Sequence, residues 1–347
     1  MPAPPEPPES IVLGQFRGIK NTVSRERLAP DELEHARNID IDDAGQVRRR
    51  RGYALKDAAN YHSLQTIGGR ALVVRNNILG VLNPDYTFVS LGVTAGSARV
   101  SYTQVDQTTF FSSTAASGKL LGTAVSPWGV SADGGRWVSP VLTPTATLGE
   151  VFGQRVTAPP YAEHIVSYSG RIYLAASKYL WATELYMYDY IDPTKNFLQF
   201  EDDITVLAAV SDGLYVGTER CLYFLRGSLS QGFRQDRVVD VPVIRGSDVM
   251  VPSTNVHPSA QQGAMPEGMA MVCMTAKGVF ACFAGGQAFD ITRGRVVFPA
   301  SDSAAALYRE DSGGTSYLAV TDSAGGPQAN ARIGDFADAE IVRFQGG

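Results

Sequence analysis

Apolar residues along this chain fall in short runs broken by Gly, Asn, Asp and Ser, a pattern of brief strands rather than of helices. One arrangement recurs: a turn, an apolar run, a short polar break and a second apolar run. Its clearest copies are Gly69–Val74 with Ile78–Leu82, Gly170–Ala175 with Tyr179–Ala182, Gly213–Gly217 with Cys221–Leu225, and Gly268–Val272 with Gly278–Cys282. Weaker copies are Thr108–Phe111 with Lys119–Gly122, and one that starts at Gly314 and runs through Ser316–Val320. The starts, near 69, 107, 170, 213, 268 and 314, are spaced by about 49 residues on average. A period of roughly 40–50 residues with four strands per unit is that of β-propeller blades. Most copies have a further strand before them (His62–Ile67, Ala98–Gln104, His164–Ser167, Ile204–Ala209) and some a fourth after them (Tyr86–Leu91, Arg237–Val241). The pattern predicts an all-β, β-propeller-like fold of about five to seven four-stranded antiparallel blades, an arrangement that protects strand edges without a closed barrel.

Three stretches depart from the repeat. Residues 1–35 read as an N-terminal arm: Pro-rich over Met1–Ser10, then a short helix in which Pro30 takes the first position, Asp31 and Glu32 the positive end, and Leu33 and Ala36 a partial apolar face. The propeller then occupies 36–347. It opens with a hairpin over residues 36–54 that is a candidate to complete the last blade by pairing with residues 305–345. Two Pro-rich segments, 125–160 and 245–267, read as inserted surface loops that touch partners.

Hydrophobic residues make up 44% and charged residues 19%, so the chain buries a core and is not disordered. The net charge of −5 argues against a dedicated nucleic-acid binder, which carries a basic face. Cys221, Cys273 and Cys282 are odd in number and lack metal spacing; they read as small buried hydrophobes in a protein assembled in a reducing cytoplasm. No apolar h-region opens the chain, and no apolar run approaches the roughly 20 residues that span a bilayer, so neither a secretory leader nor membrane insertion is expected.

Candidate chemistry is sparse. His35, His62, His164 and His257 show no metal-ligand spacing, and no nucleophile elbow or phosphate-cradling loop is present, so the expectation is a non-enzyme with no catalytic, cofactor or metal residues. The densest acidic run, Glu201-Asp202-Asp203, lies near Tyr188, Asp189, Tyr190 and Asp192. With Trp181 and Tyr186 this supports a competing expectation, a glycan-binding or glycan-cleaving propeller that recognises a receptor. The bland reading of the acids is a solvated turn between blades. Arg48 to Arg51 on a strand would point two side chains to each face; they suit either phosphate contact with passing DNA or salt bridges to acidic neighbours.

Two resemblances add to this. Ser131-Ala132-Asp133-Gly134-Gly135-Arg136-Trp137 resembles the Asp-box turn of sialidase-like propellers, with its Trp one residue early. More extensively, Phe16-Arg17-Gly18-Ile19-Lys20-Asn21, Ala36-Arg37-Asn38-Ile39-Asp40-Ile41 with Gly45, and Arg50-Arg51-Gly52-Tyr53 resemble the opening of bacteriophage tail proteins of the nozzle, hub or stabilisation type. Arg51 stands where that family often has proline. The resemblance implies a structural virion protein: a propeller subunit of a ring, commonly sixfold, below the head–tail connector. It would contact other tail and connector proteins, be assembled in the host cytoplasm and serve genome passage and ejection.

Overall fold

A computed structural model of the chain describes residues 16–34, 39–41, 46–49, 54–129, 149–151, 154–256, 268–292, 294–296, 298, 301–311, 314–323 and 341–345. A hairpin comes first, β1 (Ile39–Ile41) and β2 (Val47–Arg49), with Asp40 opposite Arg48. Six antiparallel sheets then follow among the described residues, each built from consecutive strands. The first is β3 (Tyr61–Ile67), β4 (Arg70–Arg75), β5 (Ile78–Leu82) and β6 (Phe88–Thr94); the second is β7 (Ser101–Val105), β8 (Thr108–Ser112), β9 (Ser117–Leu121) and β10 (Ala124–Ser126). A hairpin of β11 (Gly149–Val151) and β12 (Gln154–Val156) precedes the third sheet: β13 (His164–Tyr168), β14 (Arg171–Ala176), β15 (Tyr179–Ala182) and β16 (Phe197–Gln199). The fourth is β17 (Ile204–Val210), β18 (Gly213–Thr218), β19 (Leu222–Arg226) and β20 (Arg234–Val239). The fifth is β21 (Val249–Pro252), β22 (Met269–Thr275), β23 (Gly278–Phe283) and β24 (Gln287–Asp290), and the sixth has three strands, β25 (Ser301–Asp311), β26 (Gly314–Ser323) and β27 (Ile341–Gln345). The fold is a β-propeller, with each sheet a blade.

Side-chain alternation explains why the blades stack. In β14, Ile172 and Leu174 face the second blade, packing with Phe110 and Ile165, while Tyr173 and Ala175 face the fourth, packing with Leu207, Leu214 and Val216. In β18 the assignment repeats: Leu214 and Val216 look back to the third blade, and Tyr215 looks forward to Met271, Cys273 and Cys282 of the fifth. In β22, Met271 and Cys273 look back while Val272 and Met274 meet Tyr317 and Ala319 of the sixth. Leu72, Val74 and Leu79 pack against Tyr102, Phe111 and Leu120 between the first two blades. Strands buried on both faces need continuous apolar runs, which is why the second strands of the first, third, fourth and fifth blades carried the clearest repeat signal.

The inner edges are closed by side chains. Strand β13 is the innermost of its blade, and its free amides at Ile165 and Ser167 donate to Ser101 Oγ (3.0 Å) and Thr103 Oγ1 (3.0 Å) of β7. One blade earlier, the Val100 N–H donates to Ser63 Oγ at 2.8 Å. Hydroxyls of one blade thus satisfy the edge of the next, which meets the requirement that buried backbone groups be paired.

Three sequence expectations change. Among the described residues the helix at Pro30 does not form: Pro30 and Asp31 make a turn, and the single helical turn described there is the 3-10 turn Arg25–Arg27. Leu33 is extended instead, because its N–H donates to Gly18 O and its carbonyl accepts from Lys20 N, a parallel bridge with Ile19. The 245–267 stretch is not all insertion, since β21 lies within it as the first strand of the fifth blade, with Pro252 at its end where no amide is required. Among the described residues the 36–54 hairpin pairs only β1 with β2, and the last blade takes its third strand from β27. Of the 125–160 loop, β10 ends in it and β11–β12 close it; residues 130–148, which include the Asp-box resemblance, and the Pro-rich arm lie outside the described residues.

Phe224 is fully buried between the fourth and fifth blades, its ring 4.9 Å from that of Tyr215 and close over Gly213, where an added Cβ would sit 2.6 Å from it. Phe224→Ala should destabilise the chain by about 3–5 kcal/mol in urea unfolding, and Phe224→Leu by clearly less.

Candidate functional site

The two ends of the propeller axis differ in chemistry. At one end the innermost strands β7, β13 and β21 begin, and charged residues just before them meet across the axis. Arg99 pairs with Asp248 at 3.9 Å, linking the second blade to the fifth, and Arg245 pairs with Glu163, linking the approach to the fifth blade to that of the third. The Arg245 carbonyl accepts from Ala304 N at 2.7 Å, which ties in the sixth. Gly246, at φ +77°, carries no Cβ because Arg99 Nη1 and Ala304 O occupy that space. Burial and the neighbouring Arg99 charge lower the pKa of Arg245.

His164 lies beside this latch, fully buried, with no hydrogen-bond partner for Nε2. Burial pushes its pKa down to about 4; Asp248 opposes that shift and Arg99 adds to it. His62 is half-buried, with Nε2 3.1 Å from Gly96 O and Nδ1 2.9 Å from Ser63 Oγ. His35 and His257 lie outside the described residues. The three cysteines are free and buried, Cys273 and Cys282 within the core between the fourth and fifth blades. Among the described residues no group of three His, Cys, Asp or Glu side chains is placed to hold a metal ion.

At the opposite end, where β7 and β13 finish, a cleft of about 300 Å3 opens between the second and third blades. It is lined by the turn Gln104-Val105-Asp106, by Ser167 through Arg171, and by Tyr188. Asp106 (φ 51°), Ser169 (φ 47°) and Gly170 (φ 72°) are left-handed turn residues, so adjacent blades present equivalent hairpin tips to one space. Tyr186 stands beside it, 73% exposed and itself at φ 57°; its N–H donates to Gly170 O at 2.8 Å. Its ring lies where a Cβ on Gly170 would be, 2.9 Å away, so this turn requires glycine twice over.

The loop bearing both tyrosines is held firmly. Trp128 Nε1 donates to Tyr188 O at 2.7 Å, Lys119 pairs with Asp189 at 2.6 Å, and Glu184 N donates to Tyr190 O at 2.7 Å. Arg171 is engaged below, donating to Thr183 O and pairing with Glu184 at 3.6 Å. The Tyr188 phenol pKa is raised, first by burial and then by the charges of Asp106 and Tyr186.

The aromatic and acidic residues grouped by sequence therefore divide. Tyr188 lines the cleft and Tyr186 stands at its rim. Trp181 stacks instead with Tyr179 (5.7 Å) and Phe197 (5.3 Å) on the outer strands of the third blade. Glu201 and Asp202 pair with Arg220 and Asp203 accepts from Ser177 Oγ, so the acidic run is an inter-blade turn, as its bland reading held. The acid at the cleft is Asp106, which sequence reasoning missed; its signal was the equivalence of the turns after β7 and β13. Of the arginine run, Arg48 and Arg49 lie on β2, and Arg50 and Arg51 are outside the described residues.

Comparison with known proteins gives fold-level likeness alone. No family model and no curated protein matches the chain. Among solved structures, it is similar to the extracellular domain of BT4673 from B. thetaiotaomicron, at 15% identity and a TM-score of 0.45, covering 77% of this chain and 31% of that one. It is also similar to BBS1N in complex with ARL6DN (11% identity, TM-score 0.43, 73% and 71% covered) and to the computationally designed Ika8 protein (11%, 0.34, 83% and 91%). The chain spans about a third of the BT4673 domain. The propeller assignment rests on the sheet order and the inter-blade cores. No described helix is long and apolar enough to cross a membrane.

His164 gives a pH prediction. Its folded pKa, near 4, lies below the unfolded value of 6.5, so its contribution to stability is complete above pH 6.5 and is lost as pH falls towards 4. That loss should amount to about 3 kcal/mol in urea titrations between those pH values, and His164→Gln should flatten the slope.

Proposed function

We propose that this chain is a non-enzymatic structural subunit of a bacteriophage tail, part of a nozzle- or hub-type ring below the head–tail connector. The observation that carries the reading is the strap formed by the residues of the tail-protein resemblance. Gly18 sits at φ +93°, Ile19 packs into the core between the fifth and sixth blades, and Asn21 N donates to Arg295 O at 3.0 Å. Glu32 is clamped between Lys20 (3.1 Å) and Arg295 (3.2 Å). Burial alone would raise the Glu32 carboxyl pKa; Lys20, the Ala29 N–H and Arg295 together hold it below its ordinary value. The motif residues thus fasten a chain segment across two blades, a role suited to an assembled particle and needing no catalysis.

The latch argues against DNA passing along the subunit's own axis. Ion pairs cross its axis, whereas the major groove of duplex DNA is alone about 12 Å wide. The genome path is accordingly formed between copies in a homo-oligomeric ring, with other tail and connector proteins above and below. Sixfold symmetry is the favoured arrangement, and assembly takes place in the host cytoplasm before the subunit resides in the virion.

Mass spectrometry of purified particles should detect the chain in several copies, and native mass spectrometry of the isolated protein, or of its complex with connector proteins, should show a closed ring. Absence from particles would overturn the proposal. Glu32→Ala should weaken ring formation or raise the protease sensitivity of the 17–33 strap while leaving the far-ultraviolet circular dichroism of the blades intact.

A further inference from the structure

We propose that the cleft between the second and third blades binds a neutral saccharide, with Tyr188 in its wall, Tyr186 at its rim over Gly170 and Asp106 as the hydroxyl acceptor. The argument begins with cost. Tyr186 holds a large ring 73% exposed on a left-handed backbone, a conformation disfavoured for a bulky residue, when the fold could leave a glycine or asparagine there. Its backbone hydrogen bond to Gly170 and the loop from Glu184 to Tyr190 hold this backbone in place, so binding has only side-chain freedom left to remove.

Beside this ring are polar groups with no partner among the described residues. There the Tyr188 hydroxyl, the Ser169 hydroxyl and the Asp106 carboxylate carry no hydrogen bond or ion pair, while Gln104 Nε2 is committed to Asp106 O (2.7 Å) and Arg171 to Thr183 and Glu184. The unused set is therefore the exposed Tyr186 ring, two hydroxyls and one carboxylate, since the Tyr188 ring packs against Phe110. A sugar ring offers the complement, a C–H face for the aromatic ring and hydroxyl donors for the carboxylate. The cleft, about 300 Å3, is at the lower end of ligand-pocket size and suits one or two sugar rings. With Arg171 withdrawn, the lining holds an uncompensated negative charge, which selects against uronic and sialic acids.

The inference goes beyond the structural role and does not depend on it, because a ring subunit needs no sugar and a sugar-binding propeller needs no ring. The test is binding of the full chain to arrays of neutral and acidic oligosaccharides, followed by calorimetric titration of the neutral oligosaccharide that gives the strongest signal. Tyr186→Ala and Tyr188→Ala should each weaken that binding at least tenfold, Asp106→Asn several-fold, and Tyr179→Ala, in the outer aromatic stack, not at all. Melting temperatures within a few degrees of the parent's would show the variants folded. Binding confined to acidic sugars, full binding by Tyr186→Ala, or no binding to any neutral oligosaccharide by the folded parent chain would each overturn the proposal. Loss of sugar binding with ring assembly retained would sink this inference alone, and the reverse result would sink the structural role alone.

Discussion

Burial of the second strand of the inner blades on both faces is the constraint on which the rest of this molecule depends. Each of β8, β14, β18 and β22 sends alternate side chains into two different cores, so these blades do not hold their shape without their neighbours. Burial of one Leu, Val or Phe side chain contributes roughly 1.5–3 kcal/mol, and here the contributions are shared between adjacent sheets. The hydroxyls of Ser63, Ser101 and Thr103 complete the joint by taking the amides that the innermost edges leave free. The two ends of the axis inherit their geometry from this stacking. The latch forms where three inner strands begin, and the cleft opens where two of them end.

Much of this was legible in the sequence because double-faced burial writes itself as an apolar run. Ile172-Tyr173-Leu174-Ala175 and Leu214-Tyr215-Val216 each name the second strand of a blade directly. What failed to show was short or borrowed. β21 is four residues long, ends on proline and stands beside an irregular segment, so it read as part of an insertion. The Pro30 helix was suggested by local propensity, but the pairing of Leu33 with Gly18 and Lys20, and the ion cluster around Glu32, prevailed over it. The strand that extends the last blade comes from residues 341–345, a long-range pairing that local periodicity does not encode.

The cleft and the latch were hidden for a different reason. Asp106 and Tyr188 are 82 positions apart in the chain, and Arg99 and Asp248, which pair at 3.9 Å, are 149 positions apart. Sequence reasoning gathered the aromatic and acidic residues by proximity along the chain, whereas the fold gathers them by blade. It kept Tyr188 in the cleft with Tyr186 at its rim, sent Trp181 to the outer stack and supplied the acid from the neighbouring blade. The strap joins these levels, since residues that resemble a tail-protein opening serve here as a fastener over the fifth and sixth blades.

Amide hydrogen exchange of the folded chain tests the shared-burial principle most directly. Protection should run radially, with β14, β18 and β22 exchanging at rates set by global unfolding and the outer strands β6, β10 and β20 opening much sooner. Phe224→Ala should lower the protection of β18 and β22 together, because both border the same core. Equal protection from inner to outer strands, or a loss confined to the fourth blade in that variant, would contradict the claim that adjacent sheets hold each other in place.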